Sequence, residues 1–156
     1  MKINGFSLRD HLRLLAPVFG LMAAVWALRL VLAAMGASER VLSICSVSVA
    51  GPAALLLAVL LIHGRRFGSY TNVVAAAFLI ACCEQGLIIA AIAFSMLTGT
   101  RNVYSAPEFS GGMTDLQHIL GHLTFGVGLG TLTGSAMGCL LFWLLRKFVP
   151  LRTGVR

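Results

Sequence analysis

Four apolar runs, near residues 14–36, 41–62, 73–98 and 119–145, set the limits on what this chain can fold into. A helix crossing the hydrocarbon core of a bilayer needs ~20 residues. Each run meets that length, and together they take up well over half of the 156 residues. Backbone polar groups inside lipid must be satisfied within the segment that carries them, so the runs are expected as helices. Composition agrees: 11% of the residues are charged, where a soluble domain carries roughly 25%. The chain reads as an all-α integral membrane protein, a single domain over residues 1–156 with four transmembrane helices and no room for a second, soluble domain.

Charge placement gives an expected orientation. Lys2, Arg9 and Arg13 precede the first run, Arg65 and Arg66 separate the second from the third, and a basic tail over 146–156 follows the fourth with Arg146, Lys147, Arg152 and Arg156. The other connections mix signs, with Glu39 beside Arg40, and Arg101 with Glu108 and Asp115. Basic residues on alternate connections place both termini in the cytoplasm and make residues 99–117 the one longer extracytoplasmic loop. The net charge of +7 is therefore read as an orientation device, aided by anionic headgroups, and not as a nucleic-acid surface. A plasma or inner membrane is the expected location. The first run has basic residues in front and small residues near its end, like a secretion signal, but it is too long and contains Arg29, so a retained span is expected.

Along the chain, Ser7 is placed to cap a helix over 7–15, either a short surface helix with Leu8, Leu12 and Leu15 on one face or the start of span one, bent at Pro17. His11 is expected at headgroup level and His63 in the cytoplasmic connection. Span two carries Ser43, Ser46 and Ser48, and its Gly51-Pro52 pair is the expected bend. Cys45, Cys82, Cys83 and Cys139 all fall within runs. Cys82 and Cys83 project about 100° apart on a helix, so the four are read as small buried apolar residues. The connection over 99–117 is rich in turn formers, with Val103, Tyr104 and Phe109 able to fold back over the bundle. Thr114 and Gln117 match a capping box that would start span four at about Asp115.

The polar exceptions inside the runs are the candidate site residues. Arg29 lies ~10 Å from the end of span one, near enough to an interface to snorkel, or else paired inside the bundle. Glu84 and Gln85 sit near the middle of span three, too deep for a carboxylate's short stem to reach water. An intramembrane carboxylate is by default a proton or ion site, and here a structural hydrogen-bonding role stands beside that reading. Arg29 pairing with Glu84, or a relay from Glu84 through His122 to the outer surface, are the two ways the cluster could work together.

Span four carries the most regular pattern. His118, His122, Gly126, Gly130, Gly134 and Gly138 recur at every fourth residue, two imidazoles followed by a ridge without side chains. Small residues at this spacing in an apolar helix mark close packing against a partner, either span one or three of the same chain or a neighbouring copy. Because each step of four rotates ~40°, one partner can follow the ridge only by crossing along its slant. His118 and His122 have the spacing of a helical metal pair, yet they lack the intervening glutamate and a third ligand, with Asp115 or Glu108 the only nearby donors. A haem would need a second histidine across its plane, and His11 and His63 are expected at the other end. No cofactor is predicted, a metal or haem at His118/His122 being the remote exception, and interfacial histidines bonding loop carbonyls or water the plain reading.

No nucleophile with a base, carboxylate pair or phosphate loop is present, so no enzyme is expected. The leading functional reading is a non-catalytic accessory or structural subunit that packs through the glycine ridge against other membrane subunits or as a homo-oligomer. The alternative is a small proton- or ion-coupled carrier or channel using Glu84, and the third a redox subunit using His118 and His122.

Overall fold

The computed structural model describes residues 2–150. Among them are four helices long and apolar enough to cross a membrane. The far end of the basic tail, with Arg152 and Arg156, lies outside the described residues.

The chain opens with a two-residue hairpin, β1 (Lys2–Ile3) paired with β2 (Phe6–Ser7), closed by Asn4 and Gly5 at φ +52° and +91°. An Asn-Gly pair suits that turn because both residues tolerate positive φ. Ser7 then caps α1 (Leu8–Ala34): its hydroxyl accepts from the Asp10 amide at 3.3 Å, and Asp10 accepts in return from the Ser7 amide at 2.8 Å. No separate surface helix forms, and α1 runs through Pro17 without interruption. Its inward face is His11, Leu14, Leu15, Val18 and Met22, while Leu8 and Leu12 are exposed. The expected Leu8–Leu12–Leu15 stripe is thus replaced by one continuous with the buried side of the span below it.

Span two is broken, and not at its proline. A short α2 (Glu39–Ile44) ends at Cys45, and α3 (Val47–Gly64) restarts from Ser46, whose hydroxyl accepts from the Val49 amide at 3.2 Å. Pro52 lies within α3, where it has no N–H to offer the Ser48 carbonyl one turn earlier. The serine that caps decides the break, because a cap supplies the acceptor that a restarting helix needs. Span three is α4 (Tyr70–Thr98), which stops at Gly99 with φ +70°. The following connection holds one short helix, α5 (Pro107–Ser110). Span four begins with α6 (Asp115–Gly121), capped by Thr114 and Gln117 as expected, passes through a π-helical turn over His122–Gly126, and continues as α7 (Val127–Phe148).

α3 and α4 pack on each other, and both also contact α1 and α7. The glycine ridge is filled from within the chain. A Cβ built on Gly130 would stand 3.2 Å from the Ala81 Cβ, on Gly134 3.4 Å from the Ala77 Cβ, and on Gly138 2.9 Å from Val73 Cγ1, while on Gly126 it would collide with the Gln85 side chain. Gly126, Gly130, Gly134 and Gly138 therefore meet Gln85, Ala81, Ala77 and Val73 in antiparallel order, both helices stepping by four. The π turn rotates less per residue than an α turn and takes back part of the drift between the histidines and the glycines.

The apolar core is in two parts. One joins Leu14, Leu15, Val18 and Met22 to Ala58, Val59, Ile62, Val73, Ile80 and Phe142, and the other joins Leu42, Val47, Ile88, Ile92, Val103 and Tyr104. Between them along α3 and α4 lie Ser48, Gly51 and Pro52 on one helix and Glu84 and Gln85 on the other, beside Leu87, which packs against both clusters. Large apolar side chains such as Leu28, Phe78, Phe94, Phe125, Leu129, Leu132 and Leu140 point outward. In water they would form an adhesive surface, and in a bilayer they face acyl chains.

Candidate functional site

The polar layer between the two apolar clusters is built by helix ends and interruptions. Arg29, from the second half of α1, does not reach outward: it is 7% exposed. The connection after α4 folds back over it, so that its guanidinium lies 4.6 Å from the centre of the Tyr104 ring and 4.8 Å from that of Phe109. The guanidinium is thus covered by the chain's own aromatic rings. Two aromatic faces attract the cation but accept no full hydrogen bond, and Arg29 Nε is buried without a partner. The Tyr104 hydroxyl is likewise buried, with the Arg29 guanidinium as its polar neighbour and no acceptor for its own proton. Burial holds its phenol above the ordinary range, so it stays a neutral O–H donor.

His118 and His122, one turn apart, face the same space. Their rings lie 4.7 Å apart, with Nε2 to Nε2 at 3.0 Å, and His122 Nδ1 reaches the Gln85 side-chain oxygen at 2.5 Å. With that oxygen as acceptor, His122 donates from Nδ1, its Nε2 accepts from His118, and His118 Nδ1 is left buried with no partner. Sequence reasoning set these histidines against loop carbonyls or water, and instead they continue a chain that starts on α4.

Arg29, Tyr104, Phe109, His118 and His122 surround a cavity of about 280 Å³, together with Ser43, Ser46, Ser48 and Ile88. Ser43, Ser46 and Ser48 flank the break between α2 and α3, so the positive end of α3 borders the same space. Trp26 Nε1 and Ser135 Oγ are also unpartnered, but neither lines this cavity.

Glu84 lies in a separate cleft of about 240 Å³, lined by Ser48, Gly51, Pro52, Ala81, Gly130, Thr133 and Gly134 among others. Its Oε2 comes within 3.1 Å of where a Cβ on Gly51 would stand, and the Ser48 hydroxyl is its polar neighbour. The bare backbone of Gly51 makes room for the carboxylate. The expected Arg29–Glu84 ion pair does not form: the two groups face different cavities, and Ser48, which lines both, stands between them. His122 is hydrogen-bonded to Gln85 rather than to Glu84.

Among the described residues no three His, Cys, Asp or Glu side chains converge to hold a metal ion. The histidine pair is also a poor cation site on physical grounds, because the buried guanidinium of Arg29 borders the same cavity. His11 and His63, the other possible haem ligands, are engaged at the opposite end: His63 Nε2 meets the Val149 carbonyl at 2.8 Å, and His11 sits in a closed network.

That network is what sequence reasoning missed. His11, expected at headgroup level, is 1% exposed. Its Nδ1 donates to the Ser7 carbonyl at 2.9 Å, its Nε2 accepts from the Asn72 amide at 3.1 Å, and Phe67 stands edge-on at 5.0 Å between ring centres. Asn72 also donates to the Ile3 carbonyl and accepts from the Ser69 amide, tying the hairpin, α1 and α4 together. Asn4 and Ser69 add a further hydrogen bond. The Asn4-Gly5 dipeptide and the Ser69–Asn72 spacing were the readable traces of it.

No protein-family model, curated protein or solved structure matches the chain.

Proposed function

We propose that the protein is a non-enzymatic membrane protein that takes a small polar solute into its own bundle and moves it with a proton, Glu84 being the proton site. One observation carries this reading: between the two apolar clusters lie two cavities, one lined by Arg29, His118 and His122 and the other by Glu84, and Ser48 lines both. Buried polar groups in lipid are expensive and are kept where they serve a pathway or a relay. A broken spanning helix beside such a cavity is the usual way a transporter frees backbone groups for a solute. In this reading both termini are cytoplasmic, the Arg29 cavity faces outward and Glu84 lies one step deeper.

The accessory-subunit reading loses its main support, since the glycine ridge is occupied by α4 of the same chain. What still favours it is span four, of whose most apolar window only 11% is buried within the chain. A companion protein at fixed stoichiometry in native mass spectrometry would move the assignment there.

The test is proton movement. Proteoliposomes loaded with a pH dye and given a defined membrane potential are challenged with amino acids, carboxylates, phosphate and sugars in turn. At least one class should raise proton entry above that of empty liposomes, and Glu84→Gln should abolish the increase. Flux equal to that of empty liposomes for every class, or a Glu84→Gln variant as active as wild type, would overturn the reading.

A further inference from the structure

We infer that the cavity between Arg29, Tyr104, His118 and the start of α3 is a binding site for a small oxyanion, the carboxylate or phosphate group of a water-soluble solute. The inference rests on the solute-binding reading above and names the chemical class.

Charge is the first reason. Arg29 is a permanent cation, 7% exposed, and no carboxylate lines its cavity. Glu108 and Asp115, the acidic residues of the same connection, line other clefts, and Glu84 lines a third. A buried cation without a counter-ion is costly, and two aromatic faces offset only part of that cost. An anion in the cavity supplies the missing charge.

The unpaired donors are the second reason, independent of the first. Arg29 Nε and the Tyr104 hydroxyl are both buried, and both lack an acceptor while lining one space. A planar guanidinium with a spare N–H matches the two oxygens of a carboxylate or phosphate. The first turn of α3, whose Val49 amide is capped by Ser46, adds the positive end of an 18-residue helix. Ser43 and Ser46 stand at that same end.

His118 is the third reason, and it refines the ligand. As the end of the Gln85–His122–His118 chain, its Nδ1 is a buried acceptor without a donor. A ligand carrying both an anionic oxygen and an O–H, such as hydrogen phosphate or a hydroxy acid, satisfies the acceptor and the donors together. An oxyanion lacking an O–H satisfies only the donors.

The experiment is equilibrium binding of radiolabelled phosphate and acetate to the full chain in detergent micelles. Saturable binding is expected, tighter for phosphate than for acetate. Arg29→Gln should weaken it at least about tenfold, since it removes charge-assisted hydrogen bonds. Tyr104→Phe keeps the ring over Arg29 and removes only the hydroxyl, so binding should fall several-fold at an unchanged melting temperature. Absence of saturable binding for both ions, or binding untouched by both substitutions, would refute the site. Saturable binding of a labelled short-chain phosphatidic acid, weakened by Arg29→Gln, with no saturable binding of either free ion, would refute the soluble solute and point to a lipid headgroup. Oxyanion binding without proton-coupled flux would leave this site standing and sink the carrier, and flux without oxyanion binding would do the reverse.

Discussion

His11 and His118 are buried almost equally, at 1% and 7% exposure, yet they are opposites. Both ring nitrogens of His11 are spent: one donates to the Ser7 carbonyl, the other accepts from Asn72, whose own remaining polar groups are bonded too. His118 has one nitrogen on His122 and the other facing nothing. Burial alone therefore says little about function. A buried imidazole with every valence closed inside the chain holds elements in place, whereas one left open beside an unpaired guanidinium and phenol awaits something from outside.

That contrast can be broken at either end. The largest effect is expected at the closed network. His11→Leu leaves Asn72 with a buried, unpaired donor and the Ser7 carbonyl without its side-chain partner, so it should cost about 2–4 kcal/mol. Unfolding in mixed detergent micelles measures this, and oxyanion binding should be unaffected. A smaller loss is expected where the seam meets the relay. Gly126→Ala drives a methyl into Gln85 and pulls it from His122, for a net cost of about 1 kcal/mol after the gain in helix propensity. Gly134→Ala, with 3.4 Å to the nearest atom, should be neutral or slightly stabilising, and the difference between the two variants isolates the Gln85 contact. Of the two histidines, the open one should show the smaller stability change. His118→Leu gives up one hydrogen bond to a half-buried neighbour and removes an unpaired polar atom, so it should cost less than about 1 kcal/mol while weakening phosphate binding. If His118→Leu proved as damaging to folding as His11→Leu, the distinction between closed and open histidines would fail.

Much of this was legible in the residues. The four spans, the Ser7 cap, the start of span four at Thr114 and the small-residue face of its helix follow from local pattern, and those features are local in physical origin. The candidate site was read as a list: Arg29, Glu84, Gln85, His118 and His122 were each identified, but their grouping was not. Depth along a helix can be counted from sequence, which made Arg29 and Glu84 look like partners. Azimuth about the helix, and the path of the loop that places Tyr104 and Phe109 over Arg29, cannot be counted that way. The break at Ser46 was missed because Pro52 is the stronger breaker by propensity, while a capping serine acts only once the chain around it has turned.

Sequence by itself determined that this chain forms apolar helices of membrane-spanning length, because burying so many aliphatic side chains and closing their backbone hydrogen bonds leaves no other solution in lipid. Tertiary structure alone decided which polar groups meet. Gln85 rather than Glu84 takes the histidines, Ser48 separates Glu84 from Arg29, and the ridge of span four seats α4. The reason is range: hydropathy and helix period act within a segment, whereas hydrogen bonds and close packing are fixed by ångström-scale approach between segments far apart in the chain.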